Sequence, residues 1–453
     1  MSSSFGRVKT IVRSAVCALA IVALSGSMVF GQGQGNFFQT VGGIKIDASG
    51  VLSMTTEEFK SQLHDELKKQ LDEIDPVVNA KADLRMISVK AIEAALREAA
   101  DNGTEIADEI KFMAGIQRLE YVFVYPDKND IVLAGVGEGW VVNDNGEVVG
   151  KTTGNPVIHL EDFLVAMQTV DNARRDLGIG VSIDPTEEGL RSFQSYMRRA
   201  GTFNERVISG AEQSMGDQTI TVNGVPTNSR YAQVLVAADH RMKRMAMGFQ
   251  EATRKDMPSI LEIAQKRRKA LNISPRFWLE CNYDSVKKSD DGMSWQITGP
   301  GAKALTEEEA LMGGEKGRSN PVATQWAESM TEQFSDLAND DAVFTELRNV
   351  MDMSVFAALI RKEKLAEAAG LELPLIMGKE AGVEFPEWNS PATVPTQCSY
   401  CRVGSEYMIT ASGGISVDSW GVVENVESDN SLADTRALAA SAQADNAAFW
   451  NGN

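Results

Sequence analysis

The sequence predicts an α+β fold in which β-hairpins and strand–helix units are flanked by helical segments. Some short runs of alternating apolar residues are bounded by turn residues, which is typical of hairpins, whereas other stretches have the apolar spacing of helices. The two kinds of run do not alternate regularly, as a parallel α/β sheet would require. With 453 residues, 43% of them hydrophobic, the chain can form sizeable cores in two or three domains.

Residues 1–31 are predicted to be a signal peptide. The start carries Arg7, Lys9 and Arg13 and no acidic residue, and the apolar run of residues 15–24 is followed by small residues, which is the order of a secretory signal. That run is too short for a comfortable membrane span, and no later segment reaches about 18 uninterrupted apolar residues. An uncleaved anchor is the alternative. We therefore expect a secreted or periplasmic protein with no integral membrane span after signal removal.

The charge of the chain limits its partners. The sequence has 44 Lys and Arg residues against 63 Asp and Glu, a net charge of −19, and loss of residues 1–31 removes three basic residues and no acidic one. Such an acidic protein is a poor partner for nucleic acid or an anionic membrane surface. The partner is unknown from the sequence, with an envelope protein or a polysaccharide as the expected classes.

Residues 32–113 are predicted to form an N-terminal helical region. Residues 32–50 are a Gly- and Gln-rich lead-in. Helical spacing from Phe59 to Ile74 predicts a helix that ends before Pro76. A second helix is predicted over residues 89–100, because Asp101-Asn102-Gly103 ends it.

Residues 114–305 are predicted to form the α+β core. Strand patterns are followed by a helix at 160–175 and by two strand–helix units. In the first unit Asp184 is the expected helix cap, and in the second the chain turns at Asn223-Gly224 into a helix from about Ser229 to Met247. The predicted strands are 121–125, 131–133, the hairpin 140–142 with 147–149, 180–183, 218–222, and the hairpin 276–283 with 293–298.

The rest of the chain is predicted to be less regular. Residues 306–380 have helical spacing and begin with a helix capped by Thr306. Residues 381–423 are broken by Pro and Gly and form a small β-rich region. Residues 424–453 consist largely of Ala, Ser, Asn and Asp with little to bury, so we expect a disordered tail.

Several segments of the core resemble an uncharacterised secreted bacterial family, a domain-of-unknown-function family. The resemblance extends over roughly residues 115–365 and implies no activity, cofactor or site. The segments that carry it are residues 131–135 with 139–142, 180–186 with 188–190, 234–239 with 241–243, and 347–349 with 351–352 and 357–360.

Linear motifs for catalysis or cofactor binding are not assembled in this sequence. The glycines between Gly135 and Gly139 run into a strand, whereas a dinucleotide loop needs a helix to begin there. The three histidines, His64, His159 and His240, are far apart, so we expect no metal site, and no cofactor is expected.

Two polar or aromatic sets are weak candidates for binding. Asp239, His240, Arg241 and Lys243 are predicted to lie on one helix, where an Asp239–Lys243 pair would belong to a solvated face. Alternatively, their basic strip docks an acidic partner or a glycan.

Aromatic residues form the second set. Trp278 and Trp295 belong to one predicted hairpin, where rings are usually core or cross-strand pairs. Exposed rings would instead stack on a sugar. Asp284, Asp290 and Asp291 near its turn are expected to be solvated, since they lack the spacing of a calcium loop.

The cysteines that remain after signal removal are Cys281, Cys398 and Cys401. A local disulfide between Cys398 and Cys401 is the preferred interpretation. Their spacing also resembles a redox motif or half of a zinc site.

The leading hypothesis is a non-enzymatic secreted protein that acts by binding or by envelope-associated assembly. The alternative is an envelope hydrolase whose catalytic residues converge only in the fold. A thiol-linked assembly subunit is a third possibility.

Overall fold

The computed structural model describes residues 40–41, 44–46, 52–54, 74–175, 178–201, 204–268, 275–306, 320–378, 382–388, 391–403, 405–444 and 447–452. The predicted signal peptide lies outside these residues, as do positions 55–73 of the first predicted helix and positions 307–319 after Thr306. The described elements belong to one compact unit, Gln39–Asn453. None of the described helices is both long and apolar enough to cross a membrane.

Strands and helices are both abundant, and the predicted α+β class is confirmed. The strands are β1 Thr40–Val41, β2 Ile44–Ile46, β3 Leu52–Met54, β4 Ala82–Ser88, β5 Tyr121–Tyr125, β6 Asp130–Gly137, β7 Trp140–Val142, β8 Val148–Gly150, β9 Ile179–Pro185, β10 Gln218–Asn223, β11 Arg276–Asn282, β12 Val286–Lys288, β13 Ser294–Gln296, β14 Gly301–Thr306, β15 Thr393–Val394, β16 Ser399–Val403, β17 Ser405–Ile409, β18 Ser412–Val417, β19 Val426–Ser428 and β20 Phe449–Gly452.

The helices lie around and between the sheets. They are α1 Pro76–Asn79, α2 Val89–Asn102, α3 Asp108–Lys111, α4 Leu160–Thr169, α5 Glu187–Met197, α6 Glu205–Met215, α7 Arg230–Ala246, α8 Ile260–Arg267, α9 Pro321–Asp340, α10 Ala342–Lys362, α11 Leu365–Ala369, α12 Ser419–Glu424 and α13 Ser431–Ser441, with 3₁₀ turns at Met113–Gly115, Pro126–Lys128 and Val170–Arg174.

Two large mixed sheets carry the architecture. One has the strand order β19-β12-β13-β5-β6-β4-β20, and the other has the order β14-β11-β18-β9-β10-β15. In the second sheet β18 is parallel to β11 and antiparallel to β9. Smaller sheets pair β1-β2-β3, β16-β17 and β7-β8.

Helix α10 lies at the centre of the core. Every residue from Val343 to Ile360 is buried, so the helix is enclosed on all sides. It contacts α4, α7, α9 and α12. Polar residues of α10 are therefore buried as well, and they need partners on the surrounding helices.

Local capping explains where the helices begin. The hydroxyl of Ser229 accepts a hydrogen bond from the Ala232 N–H, and α7 starts as predicted. The predicted cap at Asp184 is wrong, because β9 continues to Pro185 and the side chain of Thr186 caps α5.

The predicted hairpin of residues 276–283 and 293–298 is wrong. Strand β11 pairs with β14 and β18 in the six-stranded sheet, whereas β13 pairs with β5 and β12 in the seven-stranded sheet. Alternation identified both segments as strands, but a strand pattern does not specify its partner.

The ends of the chain differ from the sequence prediction. The region expected to be helical contains β1–β3 and β4, which lies between β6 and β20. The segment expected to be a disordered tail forms β19, α13 and β20, and Trp450 is buried against Met86 and Phe123. The low apolar content of the segment did not predict this structure, although Leu432, Ala439 and Trp450 are all buried. Strand β18 from the predicted small β-rich region is an inner strand of the six-stranded sheet.

Candidate functional site

The predicted binding residues Asp239 and Lys243 form a buried ion pair between α7 and the six-stranded sheet. Their side chains are 0% and 7% exposed, and Lys243 Nζ lies 2.7 Å from Asp239 Oδ2. The same ammonium group donates to the backbone oxygens of Ile183 at 2.9 Å and Gly413 at 3.0 Å. The i,i+4 pair is therefore present, but the expected solvated face is wrong here, because β9 and β18 cover it.

Burial controls the ionisation of this pair. Desolvation raises the pKa of Asp239 to about 7, although the Lys243 ammonium group opposes the shift. Desolvation also lowers the pKa of Lys243, and Asp239 opposes that shift. The pair ties α7 to two strands, which is a structural role.

Arg241 and His240 are half-buried beside this pair. The Arg241 guanidinium donates to Asp341 Oδ2 at 2.9 Å and to Gln250 Oε1 at 3.1 Å. Burial, together with nearby basic residues, lowers the pKa of His240 to about 3, so the ring is neutral. The cavity next to His240 measures about 30 Å³, which is the volume of about one water molecule. The predicted basic strip is therefore not a continuous exposed surface.

The two candidate tryptophans belong to different sheets. Trp295 is 1% exposed, and Lys288 Nζ lies 4.5 Å from its ring centroid. Trp278 is half-buried, with the Arg276 guanidinium 5.3 Å from its ring centroid. Stacking on a sugar needs an accessible ring face, and the burial of Trp295 does not provide one.

The three described cysteines are free thiols. Cys398 packs against Phe193 and Met215, whereas Cys401 belongs to the main core. The predicted disulfide is not formed in the structure, because the two side chains are buried in different apolar clusters. Burial raises the pKa of Cys398 to about 12, so this thiol is protonated and slow to react.

A buried cluster of acidic residues around Arg230 was missed by the sequence analysis. Arg230, at the start of α7, donates to the carboxylates of Asp162 on α4 and Glu346 on α10. These three side chains are 3%, 1% and 4% exposed. Glu161 lies beside them and accepts a hydrogen bond from Trp388 Nε1 at 3.0 Å. His159 Nδ1 lies 3.8 Å from Glu161 Oε1.

The cluster has more acidic groups than its one guanidinium can neutralise. Burial and the adjacent Asp162 carboxylate raise the pKa of Glu161 to about 8. Burial also raises the pKa of Glu346 to about 7. Burial, followed by the Arg230 charge, lowers the pKa of His159 well below its usual value. At neutral pH the cluster therefore retains a proton on a carboxyl group and holds a neutral imidazole.

Sequence distance explains why this cluster was missed. Asp162 and Glu346 are 68 and 116 positions from Arg230. Glu161 and Asp162 also lie in the first turn of α4, where acidic side chains are common because they interact favourably with the helix dipole. Only the packing of α4, α7 and α10 shows that these carboxyl groups lie around a single guanidinium, that of Arg230.

An open pocket of about 590 Å³ lies at the opposite end of α4. Asn172 Nδ2 donates to Gly224 O at 2.6 Å and joins its two walls. Arg175 is exposed at the pocket and makes no ion pair with another described residue. The lining residues are Thr169, Asn172, Arg175, Gly178, Asn223, Gly224, Val225 and Pro226.

In the part of the chain that the structure describes, no group of three or more His, Cys, Asp and Glu side chains is arranged to hold a metal ion.

Comparison with known proteins identifies one domain. Residues 181–260 match DUF1598, described as a protein of unknown function. No curated protein and no solved structure matches the chain. The matched segment contains most of β9 and the whole of α5, α6, β10 and α7. It therefore includes the Asp239–Lys243 pair, Arg230 and the Asn223–Pro226 wall of the pocket. The predicted resemblance to a domain-of-unknown-function family is confirmed for these residues. The chain carries a DUF1598 domain, of unknown function, at residues 181–260.

Proposed function

We propose that this is an exported, non-catalytic protein that binds a ligand or partner of the cell envelope. The observation that carries the proposal is which of its charged side chains are buried in ion pairs and which is exposed at a pocket. Asp239, Lys243 and Arg241 are held in ion pairs inside the fold, whereas Arg175 is exposed beside an open pocket. Paired, buried groups stabilise the structure, and an exposed cation that has no ion pair with a described residue is available to a ligand.

The sequence supports the location and the kind of partner. The signal-like start indicates export. The net charge of −19 gives long-range repulsion from polyanions, so a specific acidic ligand must be recognised locally. A polysaccharide or an envelope protein fits these conditions.

Co-sedimentation with insoluble envelope polymer tests the proposal. Purified mature protein is mixed with the polymer, and bound protein in the pellet and soluble fragments in the supernatant are both measured. We expect protein in the pellet without release of fragments. Protein that stays in the supernatant, or fragments that appear over time, would contradict the proposal.

An envelope hydrolase is the second candidate, because the Arg230 cluster gathers carboxyl groups and an imidazole. A carboxyl group with a pKa near 8 can donate a proton at neutral pH, as a general acid must. The side chains of Glu161 and His159 are 17% and 16% exposed, so they form the accessible side of the cluster.

The two candidates are separated by one pair of variants. Glu161→Gln removes the titrating group but keeps an acceptor for Trp388, whereas Glu187→Gln changes a side chain that is 94% exposed. If the protein is a hydrolase, only Glu161→Gln lowers fragment release, by about 100-fold or more, as loss of a general acid does. If it is a binding protein, both variants sediment with polymer like the unchanged protein.

A further inference from the structure

We propose that the pocket beside Arg175 binds the carboxylate of an acidic sugar. The inference rests on the proposed binding function and names the ligand class of that function. It concerns the pocket formed by the end of α4, the 3₁₀ turn after it and the Asn223–Pro226 segment of the DUF1598 domain.

The charge of the pocket favours an anion. Arg175 is its only ionisable residue among the described lining residues. The backbone holds Arg175 in place, because its N–H donates to Asn172 O at 3.1 Å and its carbonyl oxygen accepts from the Gly178 N–H at 2.8 Å. The guanidinium that extends from this turn presents two parallel donors, which match the two oxygens of a carboxylate.

The walls of the pocket are fixed before any ligand binds. Trp420 Nε1 donates to Val170 O at 2.8 Å, and the Arg174 guanidinium lies 3.3 Å from the Trp420 ring centroid. On the other wall Gly224 lies so close that a Cβ there would come within 2.4 Å of Gly178 O. Rigid walls reduce the entropy lost when a ligand binds.

The uncharged groups of the pocket suit a sugar. Thr169 and Asn172 place polar side chains at the lining, and Val225 and Pro226 add apolar surface. A sugar ring has hydroxyl groups and apolar C–H faces that complement such a mixture. The volume of about 590 Å³ falls in the range of small-molecule sites.

The local backbone favours a carboxylate over a phosphate. Arg175 follows the C-terminal end of the 3₁₀ turn Val170–Arg174, where carbonyl groups give a partial negative charge. Phosphate sites usually use N–H groups at a helix start, which is the opposite end. These carbonyl groups oppose any anion, and they oppose the two charges of a phosphate more than the single charge of a carboxylate. The one positive charge of Arg175 therefore matches a carboxylate better than a phosphate.

Calorimetric titration of the mature protein tests the inference. The probes are a digalacturonate, a neutral disaccharide of the same size and inorganic phosphate. We expect the digalacturonate to bind at least 10-fold more tightly than the other two. Arg175→Gln should weaken this binding at least 10-fold, because a hydrogen-bonded ion pair is lost. Arg175→Lys should restore part of the affinity, since it keeps the charge without the two parallel donors.

Arg191→Gln is the matched control, because Arg191 is 73% exposed on α5 and outside the pocket lining. It should bind like the unchanged protein. Equal affinity for the acidic and neutral sugars, tighter binding of phosphate, or unchanged affinity in Arg175→Gln would each overturn the inference. If Arg175→Gln still sediments with envelope polymer, the proposed binding function stands and the assignment to this pocket fails.

Discussion

At the scale of single residues, burial decides what the charged groups do. Lys243 has three N–H donors, and the structure supplies three acceptors: one carboxylate and two backbone oxygens on different strands. The sequence placed Lys243 and Asp239 four positions apart, which any exposed helix could have. Their burial makes the pair a connection between α7 and the sheet.

Removing one member of this pair should be costly. Asp239→Ala leaves the Lys243 ammonium group buried without its counter-charge, and we expect the free energy of unfolding to fall by about 3–5 kcal/mol. Urea denaturation measures the change. The control is Lys364→Ala, whose side chain is 71% exposed and should change stability by less than about 0.5 kcal/mol. Equal effects of the two variants would show that the pair does not contribute as described.

The Arg230 cluster should make stability depend on pH. The pKa of Glu161 is about 8 in the folded protein and roughly 4.3 in an unfolded chain, so the folded state binds more protons between these values. Stability from this group is therefore present below about pH 4.3 and is lost as pH rises to about 8, at up to ~1.4 kcal/mol per pH unit.

Urea denaturation at several pH values between 5 and 8 checks this dependence. Glu161→Gln does not titrate, so its stability should fall less steeply as pH rises than that of the unchanged protein. The exposed variant Glu187→Gln should follow the unchanged protein. Identical slopes for all three proteins would contradict the assignment of the extra proton to Glu161.

At the scale of elements, the close packing of β18 explains a glycine in the strand. Gly413 has a φ of +118°, and a Cβ at this position would lie 1.8 Å from Phe277 O on β11. Residues other than glycine rarely adopt this backbone conformation, and the neighbouring strand leaves no room for a side chain. Gly413 O also accepts a hydrogen bond from Lys243, so the strand contact and the ion pair meet there.

Gly413→Ala should therefore disrupt the six-stranded sheet. We expect a loss of stability of several kcal/mol, larger than the ~1 kcal/mol of Gly103→Ala, where φ is +63° and no atom lies within 4 Å of the added Cβ. Thermal unfolding measures the stability of both variants. Gly413→Ala combines a steric collision with backbone strain, whereas Gly103→Ala introduces backbone strain alone. A Gly413→Ala variant as stable as Gly103→Ala would contradict the strand spacing.

At the scale of the whole molecule, the C-terminal segment supplies an edge strand of the seven-stranded sheet. Strand β20 pairs antiparallel with β4, which lies in the N-terminal part of the chain. Trp450 is buried, and its Nε1 donates to Ala439 O on α13 at 2.8 Å. Asn451 accepts a hydrogen bond from the buried Arg85 side chain. The last residues are therefore part of the fold.

Trp450→Ala should destabilise the protein by about 3–5 kcal/mol, as loss of a large buried side chain does. Leu438→Ala on the neighbouring helix is the control, because Leu438 is 61% exposed and its loss should cost less than about 0.5 kcal/mol. Urea denaturation distinguishes this structure from a disordered end. If the last residues were a loose tail, Trp450→Ala would be as mild as the control.

The sequence by itself determined the fold class and many elements, because periodicity, caps and turns are local. Strand Tyr121–Tyr125 has the predicted bounds, and α7 begins after Ser229 as expected. The pairing of the strands was decided only by the tertiary structure: β11 and β13 have similar local patterns but belong to different sheets.

The candidate sites show the same difference between what local sequence patterns predict and what only tertiary packing decides. The sequence identified Asp239 with Lys243 because i,i+4 spacing is visible in one helix. It did not identify Glu161, Arg230 and Glu346 as one cluster, because three helices bring them together. Burial also changed the interpretation of the residues that the sequence did identify. Spacing along a chain specifies neighbours within one element, whereas pKa, exposure and contact between elements depend on how the whole chain packs.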